Sequence, residues 1–299
     1  MISNHRPIMI LLLSLIASNA IAREVAPATA SQIGVGAQYD TTHVYVAPED
    51  IEKFIASFLA TFGGQSTKQV VVTVTPTSSS TTSQLLQTPV GTVSVFGFKT
   101  PIPYPFGAER TGYLVTDLDK AITLAKASGA DIVVAAFPDP IGRNAVVQWP
   151  GGVNMQLYWH IAKPSYAAFK TIPENRVYIS PGRADAFTRD FLRFSHGKVV
   201  SDEPHTPGIE VGRPNESIRR IRIESIFGKM TVFVTRGHLP FPYGRELTGY
   251  EVANLKDTLV KASASGAIIL VEPFTSEGRT SAIVQFPGGY IAEIHAPAS

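Results

Sequence analysis

Apolar residues recur along this chain with two periods that alternate in a fixed rhythm. HVYVA (43–47) alternates as a half-buried strand does. Ile51, Phe54, Ile55, Phe58, Leu59 and Phe62 then fall at helical spacing. Pro48-Glu49-Asp50 supplies the proline and acids favoured in a first helical turn, and Gly63-Gly64 ends it. QVVVTVT (69–75), LLQ (85–87) and TVSVFGF (92–98) read as strands, with the Ser/Thr run from Thr75 to Ser83 as a loop or hairpin tip. The predicted unit is βαβββ.

A second unit opens at TGYLVTDLDKAI (111–122). Its helix carries Leu118, Ala121, Ile122 and Ala125 on one face and stops at Ser128-Gly129. DIVVAAF (131–137), NAVVQW (144–149) and VNMQLYW (153–159) are its strands.

The rhythm then repeats. HVYVAPEDIEKFIASFL (43–59) aligns without a gap on RVYISPGRADAFTRDFL (176–192), at an offset of 176 − 43 = 133. By Gly91 and Gly228 the offset is 228 − 91 = 137, so the third unit carries an insertion between its helix and its last strand. The second unit maps on the fourth, which starts at TGYEVANL (248–255), at the same 248 − 111 = 137. The connectors PYPFGAERTGY (103–113) and PFPYGRELTGY (240–250) match, as do QTPVG (87–91), QWPGG (148–152) and QFPGG (285–289). Glycine in that last motif suits a hairpin turn with positive φ. Coincident echoes at consistent offsets establish an internal repeat. A βαβββ unit exposes one sheet face and cannot bury itself alone, so the units must pair.

Outside the repeats, IMILLLSLIAS (8–18) is an apolar run too short to span a bilayer comfortably. It is preceded by His5-Arg6 and followed by Ala20-Ile21-Ala22, the small-residue pattern of a signal-peptidase site. We read 1–22 as a cleavable signal peptide, with an uncleaved anchor as the alternative. Residues 23–40, rich in Ala, Gly and Ser, read as a linker or loosely docked arm. A first domain then covers 41–163, a connector 164–175 and a second domain 176–299. No later stretch has the length and apolarity of a membrane helix, so the mature protein is expected to start near Arg23, to be periplasmic or secreted, and to have no membrane contact after cleavage.

The chain has 299 residues, 17% of them charged, and a formal charge of +2. With no basic run or stripe, nucleic acid is not an expected partner. The absence of cysteine removes disulfides, thiolate metal sites and a cysteine nucleophile. No G-x-S-x-G, phosphate loop or H-E-x-x-H occurs, so hydrolase and nucleotide readings have no support.

The units resemble those of the vicinal oxygen chelate superfamily, the glyoxalase and bleomycin-resistance-like proteins. The resemblance covers nearly all of 42–297. It rests on the strand with His43 eight residues before Ile51, the G-Y-x-V-x-[DN]-L starts at Gly112 and Gly249, and the Q-[FW]-P-G-G-x3-[EQ] strands that end at Gln156 and Glu293. It implies an α+β fold: four βαβββ units paired into two curled mixed sheets, each with a concave cleft. It also implies that a divalent metal is held by His, Gln or Glu from the first and last strands of each paired unit. Carried over one at a time, the first-strand positions fall on His43, Arg110, Arg176 and Leu247, and the last-strand positions on Val95, Gln156, Val232 and Glu293. Of these, His43, Gln156 and Glu293 have side chains able to ligate.

Two pairings stand open. In chain order, favoured because neighbours in sequence are usually neighbours in space, the first cleft holds His43, Arg110 and Gln156, with His43 placed to hydrogen-bond Gln156, and in the second Arg176 pairs with Glu293. In a swapped arrangement His43 meets Glu293 in one cleft, while Arg110, Arg176 and Gln156 form a cationic pocket in the other. The cleft-binding candidates are therefore His43, Arg110, Gln156, Tyr158, Arg176 and Glu293, and the catalytic candidates are His43 and Glu293. The expected partner is a small organic molecule. No cofactor is favoured, and a divalent metal on His43, Gln156 or Glu293 is the alternative.

Asn154, Gln156, Tyr158 and His160 share one face of their strand, which is either a site row or a solvated edge. Ile291, Glu293 and His295 form the matching row. Tyr104, Phe106, Phe241 and Tyr243 either roof the clefts or pack beneath a loop. Three functions compete: an exported binder of a small molecule with a degenerate ligand set, a metal-dependent lyase, isomerase or dioxygenase of the glyoxalase type using His43 and Glu293, and an interaction module with plugged clefts.

Overall fold

In the computed structural model, which describes residues 33–298, the two periods fold as four βαβββ units. The first comprises β1 (Thr41–Tyr45), α1 (Ile51–Phe62), the short β2 (Gln65–Ser66) and β3 (Val70–Val72), β4 (Thr81–Thr88) and β5 (Gly91–Phe98). The second comprises β6 (Thr111–Leu114), α2 (Leu118–Ala127), β7 (Asp131–Asp139), β8 (Gly142–Trp149) and β9 (Val153–His160). The third has β10 (Glu174–Ile179), α3 (Pro181–Ser195), β11 (Lys198–Pro207), β12 (Ser217–Ser225) and β13 (Gly228–Val234). The fourth has β14 (Leu247–Glu251), α4 (Leu255–Ala264), β15 (Ile268–Ser276), β16 (Arg279–Gln285) and β17 (Ile291–Pro297).

The local chemistry explains the boundaries. The N–H of Gly63 returns to the Leu59 carbonyl, and the positive φ of 74° that only glycine adopts readily turns the chain out of α1. Asp117 caps α2 by accepting the Lys120 N–H, and Asn254 repeats the device on α4 with the Asp257 N–H. The paired glycines of the P-G-G motifs hold the positive φ expected of them, 96° and 85° at Gly151 and Gly152, and 82° and 87° at Gly288 and Gly289.

The sheets pair units in chain order. The first runs β2-β4-β5-β1-β6-β9-β8-β7, with β3 also on β4, and the second β11-β12-β13-β10-β14-β17-β16-β15. Within each unit the first and last strands are parallel, while the two units of a sheet meet through antiparallel first strands.

The cores pair crosswise. One joins the first unit to the fourth, with Val44, Phe54 and Phe58 against Tyr250, Phe286 and Ile294. The ring of Phe58 stands 5.2 Å from Phe286 and 5.6 Å from Tyr250. The other joins the second unit to the third, where Trp149 meets Phe191 and Phe194 at 5.7 and 5.3 Å. Each sheet is thus built from one half of the sequence, whereas each core draws on both halves. The two pairings read from the sequence coexist at different levels of the fold.

The expected signal peptide, 1–22, lies outside the described residues. The arm is tied down from Ile33 onward. Ile33 is buried in the second-unit core, Val35 donates to the Leu114 carbonyl, and Thr116 donates to that of Ile33.

Candidate functional site

Strand alternation separates each sheet into a core face and a concave face. In β9, Val153, Met155 and Leu157 enter the core. Gln156, Tyr158 and His160 of the same strand line a cavity of about 210 Å³ on the concave side, together with His43, Tyr45 and Phe96. Two expected positions are corrected by register. Val95 pairs with Val44 and Val232 with Val177, and all four are core residues. The residues beside His43 and Arg176 on the concave faces are Ser94 and Thr231.

In the first cleft His43 does not bond Gln156. Its Nδ1 lies 3.4 Å from Oε1 of the fully buried Glu109, which also accepts the Tyr45 hydroxyl. Burial first, then the Glu109 charge, push the Tyr45 phenol well above its ordinary range. Gln156 instead donates from Nε2 to Asn144 Oδ1 at 2.7 Å, and Asn144 donates from Nδ2 to Asp139 Oδ2, also at 2.7 Å. Asp139 Oδ1 accepts the backbone N–H groups of Ile141 and Gly142. Tyr158 donates its hydroxyl to the Tyr39 carbonyl and forms part of the wall. Of the connector aromatics, Phe106 turns inward to the cavity, while Tyr104 is 71% exposed.

The second cleft is filled by charge. Arg176 Nη1 lies 3.0 Å from Glu174 and 3.7 Å from Glu293. Arg279 reaches the same two carboxylates at 3.2 and 3.7 Å, and His295 Nδ1 lies 2.8 Å from Glu293. The guanidinium of Arg176 also sits over the Phe233 ring, 4.7 Å from its centroid. Burial alone would raise both carboxyls, but the arginines outweigh it. Arg279 and Arg176 hold Glu174 at about 2, and Arg176 and His295 hold Glu293 well below the usual carboxylate range. A further buried guanidinium, that of Arg220, is gripped by Glu210, Glu203 and Glu277. Tyr243, the repeat-mate of Phe106, closes over this side with Leu247 and Ile291. Burial pushes its phenol up to about 12.

Arg110 belongs to neither cleft. It lies with Glu246, Thr248 and Tyr290 in a recess where the two sheets meet. There burial raises the Glu246 carboxyl to about 8, against the pull of Arg110 and with the push of Glu109. Among the described residues its Oε1 has no hydrogen-bond partner.

Of the six cleft candidates, His43, Gln156 and Tyr158 come together at the cavity, Arg176 and Glu293 are sealed in the other cleft, and Arg110 is at the seam. Sequence reasoning missed Glu109, Glu174 and Arg279. Glu109 had a signal, since it falls on Glu246 at the repeat offset of 246 − 109 = 137.

The donor sets do not suit a divalent ion. Both carboxylates of the second cleft face guanidinium groups, whose charge opposes a cation. In the first cleft His43 and Glu109 bind one another, and Gln156 is committed through its nitrogen to Asn144. Among the described residues no group of three or more His, Asp or Glu is arranged to hold a metal. His43 and Glu293, the expected catalytic pair, stand in different sheets.

No family model matches the sequence, and no curated protein matches it. Solved structures do match in fold. A triple mutant of 4-hydroxymandelate synthase from Streptomyces coelicolor superposes with a TM-score of 0.57 at 13% identity, over 89% of this chain and 93% of that one. The 2,3-dioxygenase LapB from Pseudomonas sp. KL28 gives 0.52 at 12% identity, over 90% and 94%. A Mn(II)-bound glyoxalase from Novosphingobium aromaticivorans gives 0.50 at 12% identity, over 88% and 82%.

Proposed function

We propose, for a chain that has the vicinal oxygen chelate fold, that the first sheet's cleft binds a small organic molecule and that the second cleft serves as a structural plug. The observation that carries the reading is the inequality of two clefts built from the same repeat. One encloses about 210 Å³ between aromatic walls and a row of polar side chains, as small-molecule sites do. The other has its concave face occupied by the paired charges of Arg176, Glu293, Glu174 and Arg279. The proposal includes export to the periplasm or beyond, on the strength of residues 1–22.

The solved structures with this fold support a cleft that handles small organic compounds, since their names specify a synthase, a dioxygenase and a glyoxalase. The manganese in the glyoxalase favours a second reading, a metal-dependent lyase, isomerase or dioxygenase. For this chain that reading would have to rest on His43 and Glu109 rather than on His43 and Glu293.

A thermal-shift screen of small aromatic and aliphatic compounds, run beside elemental analysis of the purified protein, tests the proposal. Ligands should raise the melting temperature of the wild type. They should have no effect on Ser94→Phe, which fills the cavity from β5. A hit that survives Ser94→Phe would move the site elsewhere. Near-stoichiometric manganese, iron, nickel or zinc lost in His43→Ala would establish the metal-dependent reading instead.

A further inference from the structure

The polarity of one hydrogen-bond chain specifies what the cavity can recognise. The chain starts at Asp139, whose carboxylate can only accept. It takes the N–H groups of Ile141 and Gly142 at 2.9 and 2.6 Å on Oδ1 and an amide proton from Asn144 on Oδ2. The nitrogen of Asn144, a residue 3% exposed, must therefore point at Asp139, which leaves its oxygen for Gln156. Gln156 must present its own nitrogen to that oxygen, at 2.7 Å. What remains for the cavity is the Gln156 carbonyl oxygen, which no donor among the described residues reaches. Each amide orientation is forced by the one before it, so the acceptor character of Asp139 is transmitted to the cavity wall.

The charge of the lining agrees. Among the described residues no lysine or arginine lines the cavity. Arg110, the cation expected there, lies at the seam instead. His43 gives no free positive charge, because its Nδ1 faces the buried Glu109. An anionic ligand would lose its hydration shell and gain no cation. Asp139 offers little to a cationic ligand, because its oxygens are already taken by three N–H groups. Size narrows the class further. A cavity of roughly 150 Å³ accommodates benzene, so about 210 Å³ suits one substituted ring. The walls of Tyr45, Phe96, Phe106 and Tyr158 are suited to a ring face.

We propose that the first cleft selects an uncharged, single-ring compound bearing a hydroxyl or N–H donor, with Gln156 as the acceptor that reads that donor. The inference rests on the cleft being a binding site, and the experiment separates the two. Calorimetric titration at neutral pH compares toluene, 4-methylphenol, 4-methylbenzylamine and 4-methylbenzoate, which share a methyl-substituted ring and differ in the donor and charge they carry. The phenol should bind about five-fold tighter than toluene, the worth of one neutral hydrogen bond. The benzoate and the benzylamine, as ions, should bind at least about tenfold more weakly than the phenol. In Gln156→Met the phenol and toluene should fall within twofold of each other. In Gln156→Lys the benzoate should gain. Equal binding of toluene and the phenol, tighter binding of either ion, or a preference for phenol that survives in Gln156→Met would overturn the selectivity while leaving a binding cleft. If none of the four binds the wild type, the binding reading falls and the selectivity with it.

Discussion

Gly112 and His43 occupy one space. A Cβ on Gly112 would stand 2.5 Å from His43 Nε2 and 3.0 Å from Thr41 Oγ1. Gly249 and Glu293 repeat the relation in the second sheet, at 2.6 Å to Oε2. The glycine of both T-G-Y motifs leaves room for an ionisable side chain crossing from the neighbouring strand. The threonine and tyrosine of the motif bind the sheets together. Thr111 donates to Asn175, which donates to Tyr113, and Thr248 donates to Thr42.

Gly112→Ala should displace His43 and cost about 1–3 kcal/mol, the usual penalty for overfilling a packed site. His43→Ala in the same chain should recover most of that loss. Urea denaturation of the two single variants and the double completes the cycle. Additive losses would show that the two residues do not share the space.

Arg176→Leu leaves Glu174 and Glu293 facing only Arg279 and His295, and should cost about 3–5 kcal/mol. Adding Glu293→Gln removes the stranded charge and should restore part of the stability. A double variant less stable than Arg176→Leu alone would contradict an electrostatic role for the pair.

Both carboxyls of the sealed cleft have folded-state values below the ordinary range, Glu174 at about 2. Their contribution is therefore complete above the unfolded value near 4.3 and is lost as pH falls through the folded one. Denaturation midpoints should decline between about pH 4.5 and 2. The decline should be shallower in Glu174→Gln measured against its own neutral-pH stability. Parallel curves for the two proteins would remove Glu174 from the account.

Glu246 has the opposite sign. Its carboxyl is raised to about 8, so between roughly pH 4.5 and 8 the folded state holds more protons than the unfolded one. Stability attributable to this group falls as pH rises through that window. Glu246→Gln should lose that slope and gain on the wild type as pH approaches 8. A gain independent of pH would point to packing.

Export is checked by N-terminal sequencing of protein from a cell-envelope fraction, which should begin at Arg23. Intact Met1 on soluble cytoplasmic protein would defeat it.

The period and the repeat offsets made the fold readable, because each unit carries its own amphipathic signal. The concave placement of His43, Gln156 and Tyr158 was readable for the same reason, since alternation needs no partner strand. Val95 and Val232 failed because a position across two strands depends on their pairing, and β1 sets His43 beside Ser94. Glu174 was hidden because β10 starts two residues before Arg176. The residues that seal the second cleft come from separate segments, Arg220 from β12, Arg279 from β16 and Glu277 from the turn between β15 and β16. Glu210 lies in the region where the repeat offset grows from 133 to 137, so the insertion coincides with the piece that closes on Arg220. Nothing local in a sequence marks such convergence.

The crosswise cores set an order of events during synthesis. Val44, near the start of the described chain, shares its core with Ile294, near the end. The N-terminal quarter therefore leaves the ribosome with an apolar face whose partner has not yet been translated. The second and third units can close on one another first, as neighbours with a short connector, and the outer units must wait for the last strand. Contacts spanning nearly the whole chain make that final closure slow. Until the fourth unit is in place, the apolar face of α1 lacks its partner and is a surface prone to aggregation.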